Sequence, residues 1–521
     1  MAPTGWPLVL PIIIPLLAAT LAFTVRGWPI VQRSVSLLGM LSMLLSGLHL
    51  LSLVSAGGPQ AVAISTWAAP FGIVLVADLL SALLVVVTAF IGLVVALYSG
   101  AEVGRGRERH GYHSFLLILV AGSAGAFLTG DIFNLYVWFE ILLMSTFGLM
   151  VLGGEKIQID GGVKYLALNM VSTILLLTAI GLLYGMTGTL NMADLAIKVP
   201  QVENPAMLTV VAVMFLVAFA IKAGLFPLFA WLPASYHTPP MVVSALFAAL
   251  LTKIGVYSMI RVFTLIFTHD MAVTHTMLAV LAGVTMIAGV LGAAAQTDIR
   301  RMLTFSVVSQ IGFMLIGLAL MTRMSMLGTV YYMLQDILVK AGLFLAAGIA
   351  VRYAAGESSF ARLGGLWMDK LWLALLFLIP AMALMGFPPL SGFWGKFALI
   401  RGALEAEAWI LTGAALVSSF VTVYVIGRVF ATVFWKPAPA LTEGEARART
   451  AAAPTSADMM MMVPAVVAIA GIILALGVFA EPTLALVDRA AEQLIDPTAY
   501  ITAVLGPDAA PPRPTMIGGV R

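Results

Sequence analysis

Five residues in this 521-residue chain carry ionisable side chains deep inside apolar stretches: Glu140, Lys222, Lys253, Lys340 and Lys396. A charge at the centre of a hydrophobic helix costs a few kcal/mol even on the mild insertion scale, so each position is a functional candidate. The residue types suit proton chemistry. A desolvated lysine sheds its proton readily and arginine does not, and none of the five positions is Arg. A carboxylate about 4 Å from an ammonium holds it by roughly 4 kcal/mol at an effective dielectric near 20. Making and breaking a Glu140–Lys222 pair would swing that lysine between holding and releasing a proton, and Lys253, Lys340 and Lys396 would extend the relay sideways. Asp336 stands one turn before Lys340, the i, i+4 spacing of a neutralising pair. His237 and Asp78, nearer span ends, are accessory candidates for proton uptake or for structure.

Such residues need apolar helices around them, and the sequence supplies them. Hydrophobic residues make up 61% of the chain and charged ones 10%, with a mean hydropathy of +1.06. Stretches long enough to cross about 30 Å of hydrocarbon recur along the whole length. Fourteen spans are predicted, near 5–24, 30–54, 72–99, 113–130, 131–152, 162–187, 206–233, 241–267, 272–295, 301–321, 326–351, 371–400, 408–435 and 459–480. The fourth and fifth abut at Gly130–Asp131 and require a very tight turn. On this division Glu140 lies about 14 Å along its span at 1.5 Å per residue, near the middle. Lys253 is also central, Lys340 sits just past the centre, and Lys222 and Lys396 flank interruptions.

Those interruptions are Pro227 in the seventh span and Pro388–Pro389 in the twelfth. Proline removes a backbone donor, and unwound backbone at membrane depth is tolerated only where protein or a wet cavity satisfies the freed groups. Two breaks five spans apart are the mark of an internal repeat with its working site near them. The expected organisation is an all-α polytopic membrane protein of about 14 transmembrane helices. It divides into an N-terminal three-helix segment (1–112), repeat one (113–268, spans four to eight), repeat two (269–435, spans nine to thirteen) and a last part (436–521). The two five-helix repeats would be inverted, because each has an odd number of helices. The last part comprises a loop at 436–458, the final span, an amphipathic stretch near 484–495 and a Pro-rich run from Pro507 to Pro514. That end is expected to be extended or to lean on a neighbour.

Loop charges orient the chain. Sixteen Lys and Arg fall in or beside the odd-numbered connections, against Lys198, Arg261, Arg323 and Arg401 in the even-numbered ones. By the positive-inside rule the odd loops, 436–458 included, are cytoplasmic and both termini face outside. The N-terminus carries no Lys or Arg before Leu10 and is broken by Pro7, Pro11 and Pro15, so it reads as a retained helix.

Other chemistries lack their residues. There is no cysteine, hence no disulfide, thiolate metal site or catalytic thiol. The six His show no H-E-x-x-H spacing and no phosphate-binding G-x-x-x-x-G-K motif occurs, so no metal and no cofactor is expected. The net charge of +3 lies in membrane-flanking loops and gives no nucleic-acid footprint.

Taken in order, the motifs resemble those of the large antiporter-like membrane subunits. That family comprises the proton-pumping subunits of respiratory complex I and the two big subunits of Mrp-type cation/proton antiporters. The resemblance is carried by Trp138-Phe-Glu140, Lys222-x4-Pro227-x3-Trp231-Leu-Pro233, Lys253-x-Gly255-x-Tyr257, Gln296-Thr-Asp298-Ile-Arg300-Arg301, Lys340-Ala-x-Leu343-Phe and Gly386-x-Pro388-Pro389-x-x-Gly392-Phe393-x-x-Lys396. The run Trp231-Leu-Pro-Ala-Ser-Tyr236-His-Thr-Pro239-Pro240, followed by Ala245 to Lys253, is most similar to the Mrp-type branch of that family. Complex I relatives usually have His where this chain has Tyr236, and often where it has Gln310, so their relay is not expected to carry over intact through those positions.

The resemblance implies one member of a hetero-oligomeric antiporter in the bacterial plasma membrane, exchanging external protons for cytoplasmic sodium with other Mrp subunits as partners. It further implies that Glu140 and Lys222 are essential and that Lys253 and Lys396 line the half-membrane proton path. The chain is then expected to be part of a transporter and not an enzyme. Its own intramembrane carboxylates are too far apart to make a Na⁺ site, since hard cations take several oxygens at once. Two other readings remain at this point. One is a proton-pumping subunit of a redox-driven complex such as a membrane hydrogenase, and the other is a non-conducting membrane scaffold.

Overall fold

The structure, a computed structural model, describes residues 5–64 and 67–509. The N-terminal segment contains α1 (Trp6–Thr24), α2 (Pro29–Gly57), a hairpin of β1 (Gln60–Ala63) and β2 (Val74–Ala77), α3 (Leu79–Glu102) and the single turn α4 (Arg105–Arg109). Next come α5 (Tyr112–Leu128), α6 (Ile132–Val151), α7 (Lys156–Thr187), the short α8 (Met192–Lys198), α9 (Pro205–Ala223), α10 (Trp231–Ser235) and α11 (Met241–Leu265). They are followed by α12 (Met271–Ala295), α13 (Ile299–Leu320), α14 (Arg323–Tyr353), the turn α15 (Leu366–Asp369), α16 (Leu371–Met385), α17 (Ser391–Glu405) and α18 (Trp409–Phe430). The chain closes with α19 (Glu443–Ala452), α20 (Ser456–Val478), α21 (Ala480–Ile495) and α22 (Thr498–Leu505). Among the described residues twelve helices are long and apolar enough to cross a membrane, and Tyr112–Leu128 and Leu371–Met385 are shorter apolar helices.

The helices form a bundle around α5, α11 and α14, with α5 buried except at Phe115 and Ile118. Every residue of α11 is buried, as is nearly all of α14, whereas α2, α7, α12 and α18 turn residues such as Ile30, Ile174, Val280 and Phe420 outward. An apolar exterior of this extent is stable only in lipid.

One end of the bundle, the hairpin end, carries the β-hairpin and the C-terminal helices. There Gly130 N donates to Val74 O at 2.8 Å and Ile132 N to Leu190 O at 2.9 Å. The opposite, arginine end is tied by guanidinium groups: Arg300 donates to the carbonyls of His237 and Pro239, Arg352 to that of Ala101, and Arg428 to that of Ala294.

Both expected interruptions are present. α9 ends at Gly224 (φ +79°) and α16 at Gly386 (φ +87°), left-handed conformations that glycine adopts without a Cβ clash. Indole Nε1 of Trp231, on α10, caps the break by donating to Ile221 O at 2.9 Å. A second correspondence accompanies the first. Asp131 caps α6 and bridges to Asn191 at the hairpin end, while Asp298 caps α13 and bridges to Ser359 at the arginine end.

Three expectations are corrected. Residues 74–77 do not open the third span; the β-branched run Val74–Ala77 pairs with Gln60–Ala63, and the helix starts only after Asp78 accepts from Ser81 N. The sixth span begins at Lys156, a turn and a half before 162. The 436–458 loop holds a helix, α19, started by a capping box at Thr442 and Glu445. The amphipathic stretch expected near 484–495 is present as α21, which buries Val487, Ala490, Ala491 and Leu494 against the chain's own hairpin end. Most of the Pro-rich run, from 510 onward, lies outside the described residues. The tight turn is as expected, with three residues between α5 and α6, and a Cβ on Gly130 would come within 2.6 Å of Val76.

Candidate functional site

The inner helices α11 and α14 bring three charged side chains together near their midpoints. Lys253 Nζ lies 2.8 Å from Asp336 Oδ2, and Lys340 Nζ lies 3.9 Å from Asp336 Oδ1; all three side chains have no exposure. Helical geometry explains the arrangement. Asp336 and Lys340 are i, i+4 neighbours on α14, and α11 packs along the same face, so one acid stands between two amines. Lys253 also donates to Ala248 O at 2.7 Å, and Lys340 to the hydroxyl and carbonyl of Ser306 at 3.0 and 3.1 Å. Asp336 is therefore not simply the neutraliser of Lys340. Its shorter contact is to Lys253, on a different helix.

The other two lysines sit at the helix breaks. Lys222, in the last turn of α9, reaches across to α7, donating to Thr173 Oγ1 at 3.0 Å and Asn169 O at 3.4 Å, with the Phe139 ring centroid 5.4 Å away. Lys396, on α17, reaches back over the second break to the carbonyls of Leu384 and Met385 at 2.9 and 3.3 Å, and lies 5.0 Å from the Phe313 ring. Free carbonyls at a helix C-terminus favour a cation, which accounts for its placement.

Glu140 is beside this group but not bonded to it. It follows Phe139, whose ring covers Lys222, yet it makes no ion pair with that lysine, and its Oε1 is buried without a protein partner. The Glu140–Lys222 contact expected from the sequence is thus open. Thr252 Oγ1, Gln310 Nε2, Ser391 Oγ and both polar atoms of Gln335 are likewise buried and unpartnered. Gln310 accepts a short hydrogen bond from the Tyr332 hydroxyl. A cavity of about 20 Å³ adjoins Lys222, Tyr165 and Asn169, and one of about 10 Å³ adjoins Ser306, Gln310 and Thr422. Each is about large enough for one water, and buried polar atoms of this kind are where ordered water is found.

The accessory candidates are spread out. Asp78 caps α3 and forms a 2.5 Å ion pair with Arg261 on α11, both buried, with Tyr500 of α22 stacked 4.9 Å from the guanidinium. Arg261 is thus not a loop cation. The signal was available, since Arg261 follows Lys253 by eight residues on one helix face, but its partner 183 residues away was not. His237 lies in the α10–α11 connection with Nδ1 2.9 Å from Pro233 O; burial, aided by Arg301, lowers its affinity for a proton. Two acids escaped sequence reasoning. Glu102 accepts from Met241 N and Val242 N at 2.7 and 2.9 Å, capping α11 from α3, and Glu108 pairs with Arg33 at 2.6 Å.

Residues 129–422 match the family described as NADH:quinone oxidoreductase/Mrp antiporter, TM. The chain is 40% identical over 497 residues to the D subunit of the Na(+)/H(+) antiporter of Alkalihalophilus pseudofirmus, covering 95% of this chain and 99% of that protein. A chain in the structure of the Mrp complex from Dietzia sp. DQ12-45-1b superposes with a TM-score of 0.86 at 30% identity, over 96% of this chain and 100% of that one. A chain of the membrane-bound sulfane sulfur reductase, an archaeal respiratory membrane complex, gives 0.87 at 26% identity, over 96% and 99%.

Proposed function

This chain belongs to the membrane-subunit family shared by NADH:quinone oxidoreductase and Mrp antiporters, within it to the D subunits of the Mrp type, and we propose that its own share of the exchange is proton translocation along the buried lysines. It is a multi-pass membrane subunit of a cation/proton antiporter and works with other Mrp subunits. The carrying observation is the single carboxylate of Asp336 between the amines of Lys253 and Lys340, all without exposure. One acid can hold one ammonium well and two only weakly, so a proton arriving at one lysine loosens the proton on the other.

In this reading Lys222 and Glu140 form one end of the line, Lys253, Asp336 and Lys340 the centre, and Lys396 the other end. Ser306, Gln310 and Tyr332 supply the hydroxyl and amide groups between the centre and Lys396. Gln310 cannot itself carry a proton, so that stretch conducts through water. Residues 113–268 and 269–435 act as inverted repeats, a reading supported by the Asp131 and Asp298 caps at opposite ends and by the paired Gly224 and Gly386 breaks. The arginine end faces the cytoplasm, which puts both termini outside; the excess of Lys and Arg there supports this. Sodium crosses in a partner subunit or at an interface.

The test is exchange by the assembled complex in everted membrane vesicles, read as the Na⁺-induced collapse of a respiration-driven pH gradient. Glu140→Ala and Lys222→Ala each abolish it while the complex remains assembled. Unchanged exchange in both would leave the chain a scaffold. The likeness to the sulfane sulfur reductase chain supports a second reading, proton pumping in a redox-driven complex. The 40% identity to an antiporter subunit over 95% of the chain outweighs it.

A further inference from the structure

The last span, α20, carries a single ionisable residue, Asp458 at its start, yet its far end meets the second helix break. It runs beside α3, α14, α16 and α17. Its final carbonyls, which a helix terminus leaves without intrahelical donors, are taken by side chains of two other helices. Tyr331 of α14 donates its hydroxyl to Leu476 O at 2.8 Å, and Trp394 of α17 donates its indole Nε1 to Gly477 O at 2.9 Å. Tyr331 stands five residues before Asp336, and Trp394 stands two before Lys396. One turn of α20 is therefore joined to both α14 and α17.

Gly477 is what lets this joint close. A Cβ there would stand 2.6 Å from Leu390 Cα and closer still to the Pro389 carbonyl oxygen, so the helix rests directly on the backbone of the break. Glycine weakens a helix relative to alanine, and Gly477 lies within α20 with no left-handed φ, so close approach and not a turn calls for it. The break has little room to give on its other sides. Gly386 lies under Lys396, with a Cβ there 3.0 Å from Lys396 Cδ, and Gly392 backs onto α16, where a Cβ would be 2.7 Å from the Ala383 carbonyl carbon. Across the same short segment Lys396 Nζ donates to Leu384 O and Met385 O at 2.9 and 3.3 Å.

We propose that Gly477, with Trp394 and Tyr331, forms a positioning joint for Lys396: the end of α20 fixes where Pro388–Leu390 lies, and so where the Lys396 amine stands over the end of α16. The three residues act through the backbone of the break. This deepens the transport reading, on which it rests, by giving the final span a part in exchange. The first break is held otherwise. There Trp231 caps Ile221 O from the adjoining α10, and Thr285 Oγ1 of α12 accepts from Phe226 N at 3.1 Å, so the joint with α20 belongs to the second break alone.

The test uses the assembled complex. Carbon contacts settle at about 3.5–4.0 Å, so the Cβ of Gly477→Ala moves 389–390 by about 1 Å, and a misplacement of that size costs up to roughly a hundredfold in rate. The maximal rate of exchange per assembled complex is expected to fall at least tenfold, with the Na⁺ concentration for half-maximal exchange unchanged. A cryo-EM map of the variant complex is expected to show the Lys396 amine drawn away from Leu384 O. Gly471→Ala, six residues earlier on α20 where a Cβ meets nothing within 4 Å, is the control and exchanges at the wild-type rate. Trp394→Phe keeps a ring but deletes the donor to Gly477 O, and a severalfold loss of maximal rate is expected. Should Gly477→Ala fail to assemble, Trp394→Phe is carried through the same three measurements and decides the matter. The inference is overturned by a map with Lys396 unmoved, by an equal loss in Gly471→Ala, by a wild-type rate in Trp394→Phe, or by a rise in half-saturating Na⁺ in place of a fall in maximal rate. Lys396 displaced with exchange intact upholds the joint and counts against the transport reading at Lys396 alone.

Discussion

Replacing Asp336 by Asn tests the centre of the site most directly. The substitution keeps size and hydrogen-bonding capacity but removes the charge between Lys253 at 2.8 Å and Lys340 at 3.9 Å. At an effective dielectric near 20 those separations correspond to attractions of about 6 and about 4 kcal/mol. If only a third of the total survives relaxation and hydration, ~3 kcal/mol remains, a factor of about a hundred in how firmly the pair of lysines holds its protons. Exchange by Asp336→Asn in everted vesicles is therefore expected to fall by at least an order of magnitude at saturating Na⁺, while Asp336→Glu retains part of it. Assembly is the second readout. A buried ammonium stripped of its acid costs about 3–5 kcal/mol unless it gives up its proton, so the variant complex should be less heat-stable. Adding Lys253→Gln removes that stranded charge, so Asp336→Asn should cost less stability in the Lys253→Gln background than in the wild type. Full-rate exchange by Asp336→Asn, or additive losses in the double variant, would refute the shared-acid argument.

Three other expectations use different parts of the fold. Lys396→Arg keeps a cation and donors over the Leu384 and Met385 carbonyls but cannot release a proton, so the complex should assemble normally and exchange should be lost; retained exchange in this variant removes Lys396 from the line. Asp78→Asn strands the buried Arg261 guanidinium and should lower thermal stability by about 3–5 kcal/mol, with exchange per assembled complex little changed, as measured by heating membranes before quantifying the complex. At the arginine end burial raises the Glu108 carboxyl, but His113 and Arg33 outweigh it and hold the group below its usual range. Its stabilisation is thus present above the ordinary glutamate pKa and is lost as pH falls through the lower folded value, so Glu108→Gln should cost ~2 kcal/mol at neutral pH and flatten the acid limb of the stability profile.

The sequence exposed what depends on position along one helix and hid what depends on which helices meet. Glu140, Lys222, Lys253, Lys340 and Lys396 stood out because a charge in an apolar run is anomalous wherever the run packs. Pro227 and Pro388–Pro389 announced the breaks because proline acts on its own backbone. The partner choices are another matter. Asp336 looked committed to Lys340 by the i, i+4 rule, yet its shorter contact is to Lys253, 83 residues earlier on α11, and no local pattern encodes that approach. Asp78 with Arg261, and Glu102 with the first amides of α11, failed to show for the same reason. The third span starts later than hydropathy indicates, because hydropathy cannot separate a short buried strand from a helix start; Val74–Ala77 is apolar in either state.

The partners of the four lysines also say where a proton can rest. Two carboxylates, Glu140 and Asp336, serve four amines, and only Asp336 is within 4 Å of any of them. Were all four amines charged at once, the membrane interior would hold net positive charge, at several kcal/mol for each uncompensated ion. The fold avoids that through the neighbours it gives the two outer lysines. Lys222 meets a threonine hydroxyl and a carbonyl, and Lys396 meets two carbonyls. A neutral amine donates to a carbonyl as an ammonium does, so either end can lose its proton without stranding an acceptor. The centre differs, because Asp336 is content only while one of its two lysines is charged. On the proposed reading, a proton would cross the centre as the Asp336 contact passes from Lys253, at 2.8 Å, to Lys340, at 3.9 Å.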